Sequence, residues 1–241
     1  MIHVPTAPWA HYVFDVAAWL AAFATSRWQY RLWPGDLQRL ARTTEPSYFL
    51  TLAVFAVLGA WVFGSANSLR AVIAAPSHSI AGALAGGIAG VELWKWRHGI
   101  RQSTGGPFVL PLCVGIAVGR LGCFFAGLAD YTYGVPTDRP WAVEIGDGVG
   151  RHPVQLYESA AMILFAIAYV GARRRGADWA RHHAFHAFVI VYAAQRFGWE
   201  FLKPYPSVWG PFNAFHFLAV GLIIYGSYWW TRNRDRRPAH G

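Results

Sequence analysis

Pro107-Phe108-Val109-Leu110-Pro111-Leu112-Cys113-Val114-Gly115-Ile116-Ala117-Val118-Gly119-Arg120-Leu121-Gly122-Cys123-Phe124-Phe125-Ala126-Gly127-Leu128 runs for 22 residues with one charged side chain, Arg120. A bilayer core of ~30 Å needs about 20 mostly apolar residues in a helix, so this stretch reads as a membrane span. Six further stretches approach it in character: 12–25, 48–64, 79–94, 155–172, 185–202 and 212–230. Turn-rich pieces separate them, among them Trp33-Pro34-Gly35, Ser103-Thr104-Gly105-Gly106 and Lys203-Pro204-Tyr205-Pro206, where Gly and Pro chemistry stops helices. The expected fold is all-α. It is a polytopic helical bundle of about seven transmembrane helices, forming one integral membrane domain over residues 1–241.

Composition agrees with that reading. Apolar residues make up 55% and charged residues 14%, against roughly 45–50% and about 25% in soluble domains. Mean hydropathy is +0.26. Aromatics reach 17%, with 13 Trp, which suits rings that settle at bilayer–water boundaries. A small soluble enzyme is excluded. The formal charge of +9 does not mark a nucleic-acid module, because no basic face on a soluble unit is visible. No nucleic-acid partner is expected.

The basic residues cluster by loop instead. Arg27, Arg31, Arg39 and Arg42 follow the first span, and Lys95, Arg97 and Arg101 the third. Arg173, Arg174, Arg175 and Arg181 follow the fifth, and Arg232, Arg234, Arg236 and Arg237 fill the tail. The opposite loops hold Arg70, Arg139, Arg151 and Lys203. The positive-inside rule then puts the N-terminus outside and the C-terminus in the cytoplasm. Cys113 and Cys123 lie in one span, about 15 Å apart along a helix and too far to bridge within it. Met1–Pro8 carries no Lys or Arg, so no cleavable signal peptide is expected. The outer loop at 129–154 sets Asp130, Asp138, Glu144 and Asp147 against two arginines. Long connections in compact proteins usually carry function.

Ionisable groups inside spans are costly and usually face a polar cavity or each other. Arg120 is the clearest case, flanked by Gly119 and Gly122, which allow close approach. Arg196 is the second, with Tyr192 one turn before it and Glu200 one turn after. Asp15 and Glu158 complete the set, and Arg151-His152-Pro153 precedes the fifth span. Two arginines in an apolar site suit a phosphate, since guanidinium stays charged and offers planar donors. The substrate indicated is a phospholipid headgroup. The structural alternative is that Arg196–Glu200 and Arg120–Asp15 are ion pairs tying the bundle together, although paired ions are poor sources of stability.

The run from Gly119 to Gly127, then Gly134, then Arg151-His152-Pro153-Val154-Gln155-Leu156-Tyr157-Glu158, resembles the prolipoprotein diacylglyceryl transferase family. So does Tyr192-Ala193-Ala194-Gln195-Arg196-Phe197, with Glu200 and Phe201 after it. The similarity covers about 79–206, and the Arg-His-Pro-x-Gln-Leu-Tyr-Glu string is its most specific part. The resemblance implies transfer of the diacylglyceryl group of phosphatidylglycerol to the lipobox cysteine of a preprolipoprotein, in a bacterial cytoplasmic (inner) membrane, by a multi-pass enzyme without cofactor or metal. It assigns Arg120, Arg196 and Tyr192 to catalysis, with His78 as a stand-in for a histidine. Arg151, His152, Gln155, Tyr157, Glu158, Cys123, Gly134, Glu200 and Tyr12 are then substrate-binding candidates, Tyr12 through a family His/Tyr pair matched by His11-Tyr12.

This chain departs from the family pattern at several positions. Cys123 and Ala126 stand where the family has Asn, Leu128 stands at or near a Glu, and Ala81 stands where the family has a histidine. His78 lies one turn earlier; His152 and Tyr192 are other candidates for the proton acceptor. These changes keep a second expectation open, a phospholipid-binding or lipid-transporting membrane protein without the chemistry, or a transferase with another acceptor. Cys123 is a possible covalent nucleophile, but the expected role is that of a small apolar packing residue. His182-His183-x-x-His186 has one-turn spacing without a cysteine or carboxylate, so a solvated interfacial cluster is expected rather than a metal site. The Gly- and Ala-rich run from Ala81 to Gly90 reads as close helix packing.

Overall fold

A computed structural model describes residues 1–68 and 77–234. Arg70, Arg236 and Arg237, used in the charge argument, lie outside the described residues. The chain order is β1 (Ile2–His3), α1 (Ala10–Leu32), α2 (Pro34–Thr43), α3 (Pro46–Ser68), α4 (Ile80–Arg97), α5 (Val109–Ala126), β2 (Val143–Glu144), α6 (Val154–Arg174), α7 (Asp178–His182), α8 (Ala184–Glu200) and α9 (Ala214–Arg234). Short 3-10 turns cover Gly106–Phe108 and Gly127–Asp130.

Each expected span falls on a helix, with some ends displaced. α1 runs past Thr25 to Leu32, where Trp33-Pro34 ends it, because Arg27 and Arg31 interrupt hydropathy but not helix propensity. α8 stops at Glu200 rather than 202, and α9 starts at Ala214 and runs on to Arg234. Among the described residues, three helices are long and apolar enough by length and composition to cross a membrane: Pro46–Asn67, Gly106–Asp130 and Val154–Arg174.

The chain divides into two compact units. The first comprises Met1–Pro34, Pro107–Arg175 and Gly198–Pro204. Here α1 packs on α5 and α5 on α6. Phe14 stacks on Phe125 with ring centroids 5.5 Å apart, and a Cβ on Gly122 would meet Phe14 Cβ at 2.5 Å. The glycine beside Arg120 therefore admits a neighbouring helix. Ser159 donates to the Ala117 carbonyl at 2.9 Å, joining α6 to α5. Gly127 closes α5 at φ +66, where a Cβ would also press on Thr6, so the helix stops on the one residue without a side chain.

The loop at 129–154 is folded rather than loose. β2 pairs in parallel with β1, Ile2 with Val143 and His3 with Glu144. Val143 also exchanges two backbone hydrogen bonds with Arg151, at 3.0 and 2.8 Å, and Phe124, Val143 and Ile145 share an apolar cluster. On α1, Tyr12, Val13, Val16, Trp19, Leu20 and Phe23 are exposed, Trp19 by 80%. An apolar face of that size suits lipid better than water.

The second unit comprises Gly35–Gly106, Gly176–Phe197 and Tyr205–Gly241. Its α3 and α4 meet backbone to backbone: a Cβ on Gly86 would collide with the Phe55 carbonyl, and one on Gly82 with that of Gly59. Small residues permit that approach. Ser79 caps α4 by accepting from the Gly82 N–H at 3.2 Å.

Candidate functional site

In the first unit, α5 carries Arg120 and α6 carries Glu158 into the same buried space, where Arg120 Nε lies 2.6 Å from Glu158 Oε2. The other carboxylate oxygen, Oε1, takes the Lys203 ammonium at 2.7 Å. Lys203 also lies 3.4 Å from Glu200 Oε1 at the end of α8. All four residues are at most 5% exposed. Two cations and two carboxylates balance there, which is how buried charge is made tolerable. Gln155 is 2% exposed one turn before Glu158 on α6.

A second cluster leads from this helix start into the loop at 129–154. His152 Nδ1 lies 3.3 Å from the Tyr157 hydroxyl, which also accepts from Trp141 Nε1 at 2.7 Å. Trp199 packs on Tyr157 with ring centroids 5.1 Å apart. Arg151 holds Asp147 through Nε at 2.9 Å and through its Nη2, donates from Nη1 to the Gly134 carbonyl at 3.3 Å, and lies 4.8 Å above the Tyr133 ring. The guanidinium keeps the Asp147 carboxyl below its ordinary range. Glu144 is lowered to about 2 by the Gly148 N–H, His3 and the Gly146 N–H. Gly134 has no room for a side chain, because a Cβ would strike the His152 carbonyl.

A third cluster joins the start of α1 to the end of α5. His11 Nδ1 lies 3.0 Å from Asp130 Oδ1, and its Nε2 lies 3.4 Å from Asp15 Oδ2. Cys123 lies beside His11, their ligand atoms within 4.8 Å of each other, and accepts from Arg120 Nη1 at 3.6 Å. Cys123 therefore touches charged side chains and is not simply an apolar filler. Arg120 is paired with Glu158, while Asp15, its partner in the structural alternative, sits by His11. Of the pair at the start of α1, His11 reaches this cluster; Tyr12 is 73% exposed.

In the second unit, Arg196 is 3% exposed with its guanidinium 5.1 Å over the Phe215 ring, and Tyr192 is buried with its ring stacked on Phe188. His78 is exposed and edge-on to Trp61 at 4.3 Å. The histidine cluster corrects the expectation of a solvated group. His183 and His186 are 2% and 3% exposed, because Trp230 stacks on His183 and Tyr225 lies near His186; His182 alone faces outward, near Asp178. A cavity of about 520 Å³ is lined by α4 and α9 residues including Ile88, Phe217 and Leu222, with Glu92 accepting from the Tyr225 hydroxyl at 2.8 Å.

Sequence reasoning did not place Lys203 or Asp130 in these clusters, and it carried His11 only as the neighbour of Tyr12 in the matched pair. Lys203 was hidden in a helix-breaking Lys-Pro-Tyr-Pro turn, although its three-residue spacing from Glu200 is an ion-pair signal.

The family model for prolipoprotein diacylglyceryl transferase matches residues 13–232. A Bordetella parapertussis protein named phosphatidylglycerol–prolipoprotein diacylglyceryl transferase is 35% identical over 153 residues, 61% of this chain and 53% of the relative. Proteins of the same name from Aromatoleum aromaticum and Geobacter sulfurreducens are 37% and 34% identical, each over 58% of this chain and 57% of the relative. The matched stretch thus spans little more than half the length of these relatives. No solved structure matches.

Proposed function

The chain belongs to the prolipoprotein diacylglyceryl transferase family, and from that premise we propose that it transfers a diacylglyceryl group from phosphatidylglycerol to the cysteine thiol of a preprolipoprotein. In that reaction the thiol sulfur bonds to the terminal glyceryl carbon of the lipid, the bond from that carbon to the phosphate oxygen breaks, and glycerol phosphate leaves. The thiol proton passes to a base.

The observation that carries this reading is Arg120, almost fully buried on α5 and held by Glu158 at 2.6 Å. A guanidinium fixed in a dry site is placed to offset charge on a departing phosphate, and such preorganised electrostatics is a large term in catalysis. Lys203 on the far oxygen of Glu158 stops that carboxylate from turning away. The outer loop, through Arg151, His152 and Tyr157, would shape the headgroup and peptide approach. Gln155, Gly134, Cys123 and Glu200 belong to the same proposed surroundings. His152, held by Tyr157, is better supported as proton acceptor than His78, which lies exposed against Trp61. Arg196 and Tyr192 keep the roles the resemblance implies.

The proposed setting is a bacterial cytoplasmic membrane crossed seven times, with the N-terminus outside and the site near the outer leaflet. Phospholipid binding without chemistry is the rival reading, favoured by the apolar cavity of the second unit and by Ala81 at the family's histidine position. Mass spectrometry decides between them. The protein is placed in phosphatidylglycerol liposomes with a synthetic lipobox peptide. A diacylglyceryl mass increment that requires the peptide thiol and disappears in Arg120→Ala is the expected result. Bound lipid with no increment would establish the rival, and normal turnover in Arg120→Ala would remove Arg120 from the reaction.

A further inference from the structure

His11, Cys123 and Asp130 come from three separate places in the chain: the first turn of α1, the last turn of α5 and the 3-10 turn that follows. Their ligand atoms all lie within 4.8 Å of one another. Tetrahedral zinc sites, with metal–ligand bonds of about 2.0–2.3 Å, place their donors roughly 3.3–3.8 Å apart, so small side-chain shifts would close this cluster on one ion. The donor set is an imidazole, a thiolate and a carboxylate, the mixture that borderline divalent ions accept. Two anionic donors also neutralise a divalent charge in a place with little water.

Each ligand has an outer partner that leaves a donor atom pointing inward. Asp15 Oδ2 lies 3.4 Å from His11 Nε2, with Nδ1 on the Asp130 side. Thr132 donates to Asp130 Oδ2, leaving Oδ1 towards His11. Arg120 Nη1 lies 3.6 Å from Cys123 Sγ. Such outer contacts orient metal ligands and tune them. Cys123 is buried and the Asp130 side chain is 9% exposed, whereas that of His11 is 36% exposed, so an ion has a way in and a fourth position can take water or another ligand.

We propose that His11, Cys123 and Asp130 bind a divalent transition-metal ion of the zinc class. The proposal does not rest on the transferase reading. A protein that transfers no lipid would still bind the ion, and an active one could lack it.

The test uses tag-free full-length protein in detergent, stripped with a chelator and titrated with cobalt(II). The expected result is one cobalt per chain with a thiolate-to-cobalt charge-transfer band in the near ultraviolet, displaced by zinc. The band should vanish in Cys123→Ser and survive in Cys113→Ser. Asp15→Asn should weaken binding by about 10- to 100-fold while keeping the band, the loss usual for an outer partner. Circular dichroism of each variant separates lost binding from lost fold. The histidines of α7 and α8 cannot give a thiolate band, so cobalt bound without it would overturn the proposal. No cobalt binding by the folded wild-type protein, or a band that persists in Cys123→Ser, would overturn it equally.

Discussion

Lys203 and Glu158 are 45 residues apart in sequence, yet their Nζ and Oε1 atoms lie 2.7 Å apart in a space almost closed to solvent. Arg120 occupies the opposite oxygen of the same carboxylate, so each cation limits how far Glu158 can rotate. The arrangement ties the segment after α8 to α6 and α6 to α5 in the first unit.

Lys203→Met should therefore unfold the first unit easily. It leaves Glu158 and Glu200 buried with one cation fewer, and breaking a buried pair on one side costs about 3–5 kcal/mol. Adding Glu200→Gln should recover part of that loss, because one uncompensated carboxylate is removed with it. Denaturant unfolding in detergent measures both. A single variant as stable as wild type would show that the network holds nothing together.

Acid should release the N-terminal strand before it disturbs the helices. Glu144 pairs its strand with β1 and its carboxyl is lowered from 4.5 to about 2. A folded value below the ordinary one means the stabilisation is whole above about pH 4.5 and is lost as pH falls through about 2. Asp147, lowered by Arg151, loosens the same loop in the same direction. Hydrogen exchange at the Ile2 and Val4 amides, which bond the Ala142 and Glu144 carbonyls, should quicken across that window while α5 stays protected. In Glu144→Gln the exchange should depend less on pH.

The α5 stretch was legible because a long apolar run with one charge has few other readings, and Glu158 was legible through the string that contains it. Their partnership was not. The structural alternative in the sequence paired Arg120 with Asp15, but helix packing decides which carboxylate arrives, and α6 brings Glu158. Lys203 was read as a loop charge because Pro204 and Pro206 announce a turn; nothing local says that the turn is buried. His183 and His186 were read as solvated from their polarity, and their burial comes from Trp230 and Tyr225 on a helix about 40 residues downstream. Local pattern reports what a segment is; it reports poorly on what covers it.

Gly134→Ala should damage the loop at 129–154 without touching the helices. The new methyl would strike the His152 carbonyl, forcing apart the backbone that sets His152 against Tyr157. Overpacking of this kind costs typically about 1–3 kcal/mol. Limited proteolysis within residues 131–151 should rise and turnover should fall together. Cleavage unchanged from wild type would mean that the loop absorbs the methyl.

Arg120→Lys separates charge from geometry. Lysine keeps the positive charge opposite Glu158 and so should preserve much of the fold, but it lacks the planar fork that bonds Glu158 and Cys123 with different nitrogens. If Arg120 stabilises a departing phosphate, loss of one such donor set should lower kcat by about 10²- to 10³-fold with little change in stability. Arg120→Ala should lose both, because the buried Glu158 carboxylate loses the cation on its Oε2. Turnover from the liposome assay set beside denaturant unfolding makes the comparison. Equal losses of stability in Lys and Ala, with turnover falling only in proportion, would show that Arg120 serves the bundle and not the reaction.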